Sequence, residues 1–254
     1  MTEADLTLYA AAMFAVLVAG ISKGGFGAGL GFLATPFLAL AVTPAEAAAI
    51  MLPVLILIDQ VGMVSYWREW RWDVVWPVLI SGAVGIALGT LAFGTFSADA
   101  LRLGLGIIAI GFLLFQLAQK RGWTPPSRGG RGARAGLWGA VSGFTSTVSH
   151  AGGPPITIYL LGERLEKTVY QASSVLIFWC INLMKLGPYA ALGVLDFSSL
   201  SFSLQLAPAA IVGVLFGVWA HKRVPEWLFF RAMVVLLALT GSKLIWDGAR
   251  GLLG

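Results

Sequence analysis

The chain has 254 residues, of which 58% are hydrophobic and only 11% charged, with 32 glycines and a net charge of +5. A soluble domain carries about 25% charged residues, so this composition belongs to a polytopic, all-α membrane protein. Continuous apolar runs exclude a β-barrel, and basic residues confined to short loops report membrane topology rather than a nucleic-acid partner.

In chain order, residues 6–21 form a short apolar segment ended by Ser22-Lys23-Gly24-Gly25, and residues 26–42 form a second one containing Pro36. Thr43-Pro44-Ala45-Glu46 reads as a capped helix start, with proline at the first helical position. Residues 47–66 make a full span with Pro53 inside and Asp59-Gln60 as its one strongly polar pair. A Trp-rich charged loop, 67–73, precedes the span 74–96. After a tight turn at Ser97 comes the span 100–119. Residues 120–134 are a basic linker containing Pro125-Pro126 and Gly129-Gly130. Two short segments, 135–149 and 152–161, follow. Then come a span 168–186 that breaks at Gly187-Pro188, a span 201–220, and a span 227–246.

Each half is thus a short broken pair followed by three spans. Residues 1–119 are the first repeat, 120–134 a cytoplasmic linker and 135–254 the second repeat. Pro36 and Pro155, Asp59 and Asn182, and Arg102 and Arg231 fall at matching places. With the linker in the cytoplasm, the basic residues of 67–73, 162–167 and 221–226 also fall inside, and the connections 43–46, 97–99 and 187–200 carry no Lys or Arg. The halves then have opposite orientation, an inverted-repeat architecture of secondary transporters, with both termini extracytoplasmic.

The candidate site lies at the two interruptions. Backbone that breaks inside a membrane must line a cavity or be buried in protein. Glycines let that backbone approach a ligand, and helix N-termini offer free N–H groups to an anion. One tip supplies Ser22, Lys23, Gly24, Gly25 and Gly27. The other supplies Thr147, Ser149, His150, Gly152 and Gly153. The alternative is a pair of ordinary loops whose glycines, at the Gly25/Gly29 and Gly27/Gly31 spacings, serve helix packing. Asp59 is a functional candidate as an intramembrane carboxylate; it could couple protons, cap a kink after Pro53 or pair with Lys23. Asn182, Gln60 and Gln171, with Ser173 and Ser174, are expected to line the same cavity. Arg102, Arg231, Lys185 and Lys243 lie near span ends and read as snorkelling side chains. The single cysteine, Cys180, allows no thiolate metal cluster. No nucleotide loop or nucleophile–base pair occurs, so neither an enzyme nor a cofactor is expected.

The stretches Gly20-Ile21-Ser22-Lys23-Gly24-Gly25-Phe26-Gly27-Ala28-Gly29, Thr35-Pro36-Phe37-Leu38, Gly139-Ala140-Val141-Ser142-Gly143-Phe144-Thr145-Ser146 and Gly152-Gly153-Pro154-Pro155 resemble the TauE/SafE sulfite-exporter family, also called the toluene-sulfonate uptake permease family. The resemblance implies a secondary exporter of a sulfur-containing anion such as sulfite or an organosulfonate, in the bacterial cytoplasmic (inner) membrane. Alternating access would run around the two tips. An anion channel and a proton-coupled uptake permease for a sulfonate or carboxylate stay open, as does assembly into a homo-oligomer.

Overall fold

A computed structural model describes residues 3–26, 34–123, 130–221 and 226–253. Among these, every regular element is helical. They are α1 (Glu3–Ile21), prolonged by a single π turn (Ser22–Phe26); α2 (Ala34–Leu38); α3 (Pro44–Ser65); α4 (Trp72–Thr95); and α5 (Ala98–Lys120). The second half gives α6 (Arg131–Ser149), α7 (Gly153–Gly162), α8 (Lys167–Ala191), α9 (Phe197–His221) and α10 (Glu226–Leu253). Among the described residues, α3, α4, α5, α8 and α9 are long and apolar enough to cross a membrane. The expected caps are present. Thr43 Oγ1 accepts from Glu46 N at 3.2 Å while Glu46 Oε2 accepts from Thr43 N at 2.9 Å, and Ser97 Oγ accepts from Ala100 N at 3.2 Å.

One boundary differs from expectation. α8 runs through Gly187-Pro188 and stops at Ala191. A proline there removes one hydrogen bond from the last turn, which the helix tolerates. The stop is Gly193, at φ +66°, whose N–H donates to Ala190 O at 3.0 Å. A left-handed residue just beyond the last turn is the usual glycine terminator.

α6 and α7 form a hairpin that returns to the face it left. Glu163, at the end of α7, accepts from Arg131 Nε at 2.6 Å and from Arg134 Nη2 at 2.8 Å, both at the start of α6. Arg131 also donates to Asp73 Oδ2 at 2.8 Å, and Asp73 is paired with Arg71. The 67–73 loop, the α6 start and the α7–α8 turn therefore share one face. α7 has ten residues, so the hairpin tip lies about 15 Å from that face, half the ~30 Å of hydrocarbon. In the first half, α2 lies back along α1, with the Phe14 and Phe37 rings 5.0 Å apart. Opposite the ion pairs, a cleft of about 510 Å³ opens between residues 39–43, Glu46, Arg102 and Asp247.

Packing links the halves by exchange. α4 lies on α6 and α9 on α1; α3 lies on α9 and α4 on α8. α3 meets α8 and α5 meets α10. Swapping the first five helices for the last five leaves this set of neighbours unchanged. The paired equivalents run antiparallel. Asp59 meets Asn182 while a Cβ on Gly62 would lie 3.1 Å from Val175 Cγ1. Likewise Gly106 faces Ile245, and Gly248 faces Leu103.

Two crossings are backbone-close because glycines line them. A Cβ on Gly85 would fall 2.8 Å from Phe144 N, and one on Gly143 would fall 2.9 Å from Ile86 N. A Cβ on Gly20 would fall 2.8 Å from Ala210 O, and one on Gly213 would fall 3.0 Å from Leu17 O. With lipid outside, close van der Waals packing rather than a hydrophobic gain drives such association. On its other side α4 presents Trp76, Ile80, Val84, Leu88 and Leu91, all exposed and three or four residues apart, a lipid-facing stripe.

Candidate functional site

The two tips meet polar side chains of α3 and α8. The π turn at the end of α1 carries Lys23, and π turns inside helices are frequent at functional sites. Lys23 Nζ donates to Asp59 Oδ1 on α3. Asp59 Oδ2 accepts from Asn182 Nδ2 on α8 at 2.7 Å. Two positions that match between the halves thus touch directly. Lys23 Nζ also lies 5.3 Å from the centre of the Phe178 ring.

One turn further along α8, Lys185 is fully buried. Its ammonium donates to Ser146 O at 3.1 Å and to Ser146 Oγ at 3.0 Å, both on α6 at the second tip. These are neutral oxygens, and among the described residues no carboxylate pairs with it. The snorkelling expectation for Lys185 is therefore corrected: because α8 continues past Pro188, the side chain is held inside the protein. Phe178, Asn182, Lys185 and Tyr189 follow a 4-3-4 spacing, which puts Lys185 on the same helical face as Asn182 and makes it a candidate.

The second tip is a reversal at His150, whose φ of 56° is left-handed. Few non-glycine residues adopt this conformation, histidine among the more frequent. His150 N donates to Ser146 O at 3.0 Å and Ala151 N donates to Thr145 O at 3.2 Å. The imidazole is 6% exposed, stands edge-on to the Tyr189 ring at 6.2 Å, and has no protein partner at either nitrogen. The charges of Lys185 and Lys23 both bear on it. Tyr189 is fixed by its hydroxyl, which donates to Thr147 O at 2.5 Å. At the first tip the buried hydroxyls of Ser22 and, on α2, Thr35 also lack a protein partner. Buried polar groups are nearly always hydrogen-bonded, so these four unpartnered atoms on Ser22, Thr35 and His150 are candidate partners for a ligand or water.

The other sequence candidates fall as follows. Thr147 and Ser149 are buried, but their hydroxyls donate to Gly143 O and Thr145 O of their own helix, both at 2.9 Å. Gly152 caps α7 against α6: a Cβ there would lie 2.8 Å from Ser142 Oγ, which donates to Gly152 O at 2.9 Å. Gly153 is buried at the first position of α7. Gly24 packs its backbone on Val214 of α9, Gly25 lies in the π turn, and Gly27 lies outside the described residues, as do Gly29 and Gly31. Gln60 is exposed, turned away from Asp59 by one residue step of the helix. Gln171 is half-buried in the first turns of α8, about 16 Å along the axis from Asn182. Ser173 Oγ accepts from Arg71 N at 3.2 Å, far from the tips. Arg102 pairs with Asp99 at 2.7 Å and Lys243 with Asp247 at 2.5 Å, at the face of the cleft. Among the described residues no His, Cys, Asp and Glu cluster could hold a metal ion.

The family model described as Sulfite exporter TauE/SafE matches residues 12–244 of the chain. No curated protein and no solved structure gives a match.

Proposed function

The chain belongs to the sulfite exporter TauE/SafE family, and from that membership we propose that it carries a small sulfur-containing oxyanion across the bacterial cytoplasmic membrane, binding it between the two tips. The single observation that carries this reading is Lys185, a fully buried lysine whose amine bonds only the neutral oxygens of Ser146. An unpaired buried charge costs several kcal/mol, and an anion bound beside it offsets part of that cost. Ser22, Lys23, His150 and Lys185 are the ligand-facing set. Asp59 and Asn182 hold Lys23 in place. Gly24, Gly152 and Gly153 let the backbones close on the site.

The two halves are read as inverted repeats, 1–119 and 135–254, joined by a cytoplasmic linker, 120–134. Support comes from the neighbour pattern that survives exchange of the halves and from the antiparallel pairing of α3 with α8 and α5 with α10. With the basic face inside, the ion pairs of Arg71, Asp73, Arg131, Arg134 and Glu163 tie the cytoplasmic side shut, and the cleft beside Arg102 opens outward. Both termini are then extracytoplasmic. An interior-negative potential favours outward movement of an anion by about 2.3 kcal/mol per charge per 100 mV, so export needs no coupling ion. The Lys23–Asp59 pair favours a second mode, proton-coupled uptake. A proton on Asp59 would release Lys23 to a ligand.

The test is counterflow of labelled sulfite in proteoliposomes of the purified chain. Saturable counterflow that falls to background in Lys185→Met and Lys23→Ala is expected. Unchanged flux in both variants would place the site elsewhere. Single-channel currents would replace the carrier with a channel.

A further inference from the structure

We propose that the central site is matched to an oxyanion of one negative charge that carries no cationic group, and that it discriminates against dianions and zwitterions. This rests on the central-site reading above and states which anions that site takes.

The inference follows from the buried charges and from the hydrogen-bond groups still unspent. With both lysines protonated and Asp59 ionised, the charges at the site are the ammoniums of Lys23 and Lys185 and one carboxylate, Asp59, which contacts Lys23. Lys23 is paired with Asp59, so the surplus is the single positive charge of Lys185. One negative charge brings the site to neutrality. A second leaves a buried anion uncompensated, which low-dielectric surroundings penalise as heavily as the unpaired cation.

The donor inventory points the same way. An ammonium has three N–H groups, and Lys185 uses two on Ser146. Its third N–H, the Ser22 hydroxyl and one imidazole N–H of His150 remain for a ligand. The one carboxylate is already engaged: one oxygen of Asp59 accepts from Lys23 and the other from Asn182. Among the described residues the ammonium of an aminosulfonate would find no free carboxylate at the site, while the Phe178 and Tyr189 rings already face Lys23 and Lys185. The unspent donors suit sulfonate or hydrogensulfite oxygens, whereas an ammonium would meet only neutral acceptors, the hydroxyls and the imidazole nitrogen. Neutral His150 adds one donor, one acceptor and no charge. Protonated, it would raise the surplus to two positive charges, the state that matches a dianion.

The experiment is thermal stabilisation of the purified full chain by methanesulfonate, sulfate, taurine and sulfite. These present a monoanion, a dianion, a zwitterion, and an ion that passes from monoanion to dianion near neutral pH. Methanesulfonate is expected to bind with a flat pH dependence, sulfate at least about tenfold more weakly, and taurine not at all. Sulfite affinity is expected to fall by about tenfold per pH unit once its dianion predominates, because only the monoanion binds. In Asp59→Asn, which adds one positive charge to the site, sulfate is expected to overtake methanesulfonate. The wild-type panel decides the question if that variant does not fold. Sulfate binding as tightly as methanesulfonate, with both lost in Lys185→Met, would overturn the charge matching and leave the site in place. Binding of both that survives in Lys185→Met and in Lys23→Ala would overturn the site itself, and the proposal with it.

Discussion

Lys185 is the side chain whose removal says most. Replacing an unpaired buried cation with an apolar residue of similar length is expected to leave the ligand-free protein as stable as before, or more stable by about 1–4 kcal/mol, while anion-dependent stabilisation disappears. Melting curves of Lys185→Met with and without methanesulfonate check both halves of that statement. His150 offers the complementary separation. Its left-handed backbone costs about 1–2 kcal/mol in a residue with a Cβ, and strain of this kind collects at functional sites. His150→Gly is expected to raise the melting temperature and weaken anion binding together; a lower melting temperature would show the imidazole to be structural. At this scale the sequence told part of the story. Asp59 and Asn182 stood out as polar residues inside apolar spans. Lys185 did not, because Gly187-Pro188 reads as the end of its helix, which put the lysine at a membrane surface. Only the continued α8, terminated at Gly193, shows it to be interior.

Among the elements, the α4–α6 crossing depends on the absence of side chains. Gly85→Ala and Gly143→Ala are each expected to destabilise by about 1–3 kcal/mol, because the added methyl meets backbone rather than a movable side chain. Gly104→Ala and Gly111→Ala, on α5 with nothing within 4 Å of the added carbon, are expected to be neutral or to gain up to about 1 kcal/mol in helix propensity. Thermal melts of the four variants distinguish packing glycines from incidental ones. The glycine spacings legible in the sequence near Gly25 and Gly29 were not these. Which glycines face a partner depends on which helices cross, and that is decided by tertiary packing. The hairpin base is the other exposed test. Glu163 is nearly buried between Arg131 and Arg134, and Glu163→Gln is expected to cost about 2 kcal/mol, read as a lower melting temperature. Asp73, at the edge of the same network, has its carboxyl held below the usual carboxylate range, first by the hydrogen bond from Arg71 and then by Arg131. With the folded value lowered, its contribution is complete above about pH 4 and is lost as pH falls through that lower value. The network is therefore expected to be indifferent to pH between about 5 and 8 and to weaken with added salt, measured as melting temperature against each.

For the whole molecule, the order of helices was legible from apolar run lengths: two short segments and three long ones, twice. The sharing of neighbours between halves was not, since no local pattern says that α9 belongs against α1. The three buried apolar clusters show the result. One joins α1, α2 and α3 to α9, one joins α4 to α6, α7 and α8, and one joins α5 to α10. Neither half of the sequence owns a complete core. Residues 1–119 and 135–254 expressed separately are expected to be unstable, and co-expressed to copurify; a stable, monodisperse first half alone would contradict the exchange.

The α1–α9 crossing also sets a timetable. Gly20 and Gly24, which position the tip bearing Lys23, pack on Ala210 and Val214 of α9, which is synthesised long after α1. Until α9 is inserted, the tip of α1 has a lysine and no wall to lean on. During biogenesis the α1 tip must be sheltered, by insertion machinery or by lipid headgroups, until α9 follows. Arrest of translation before α9 should accordingly leave a chain that quality-control proteases remove.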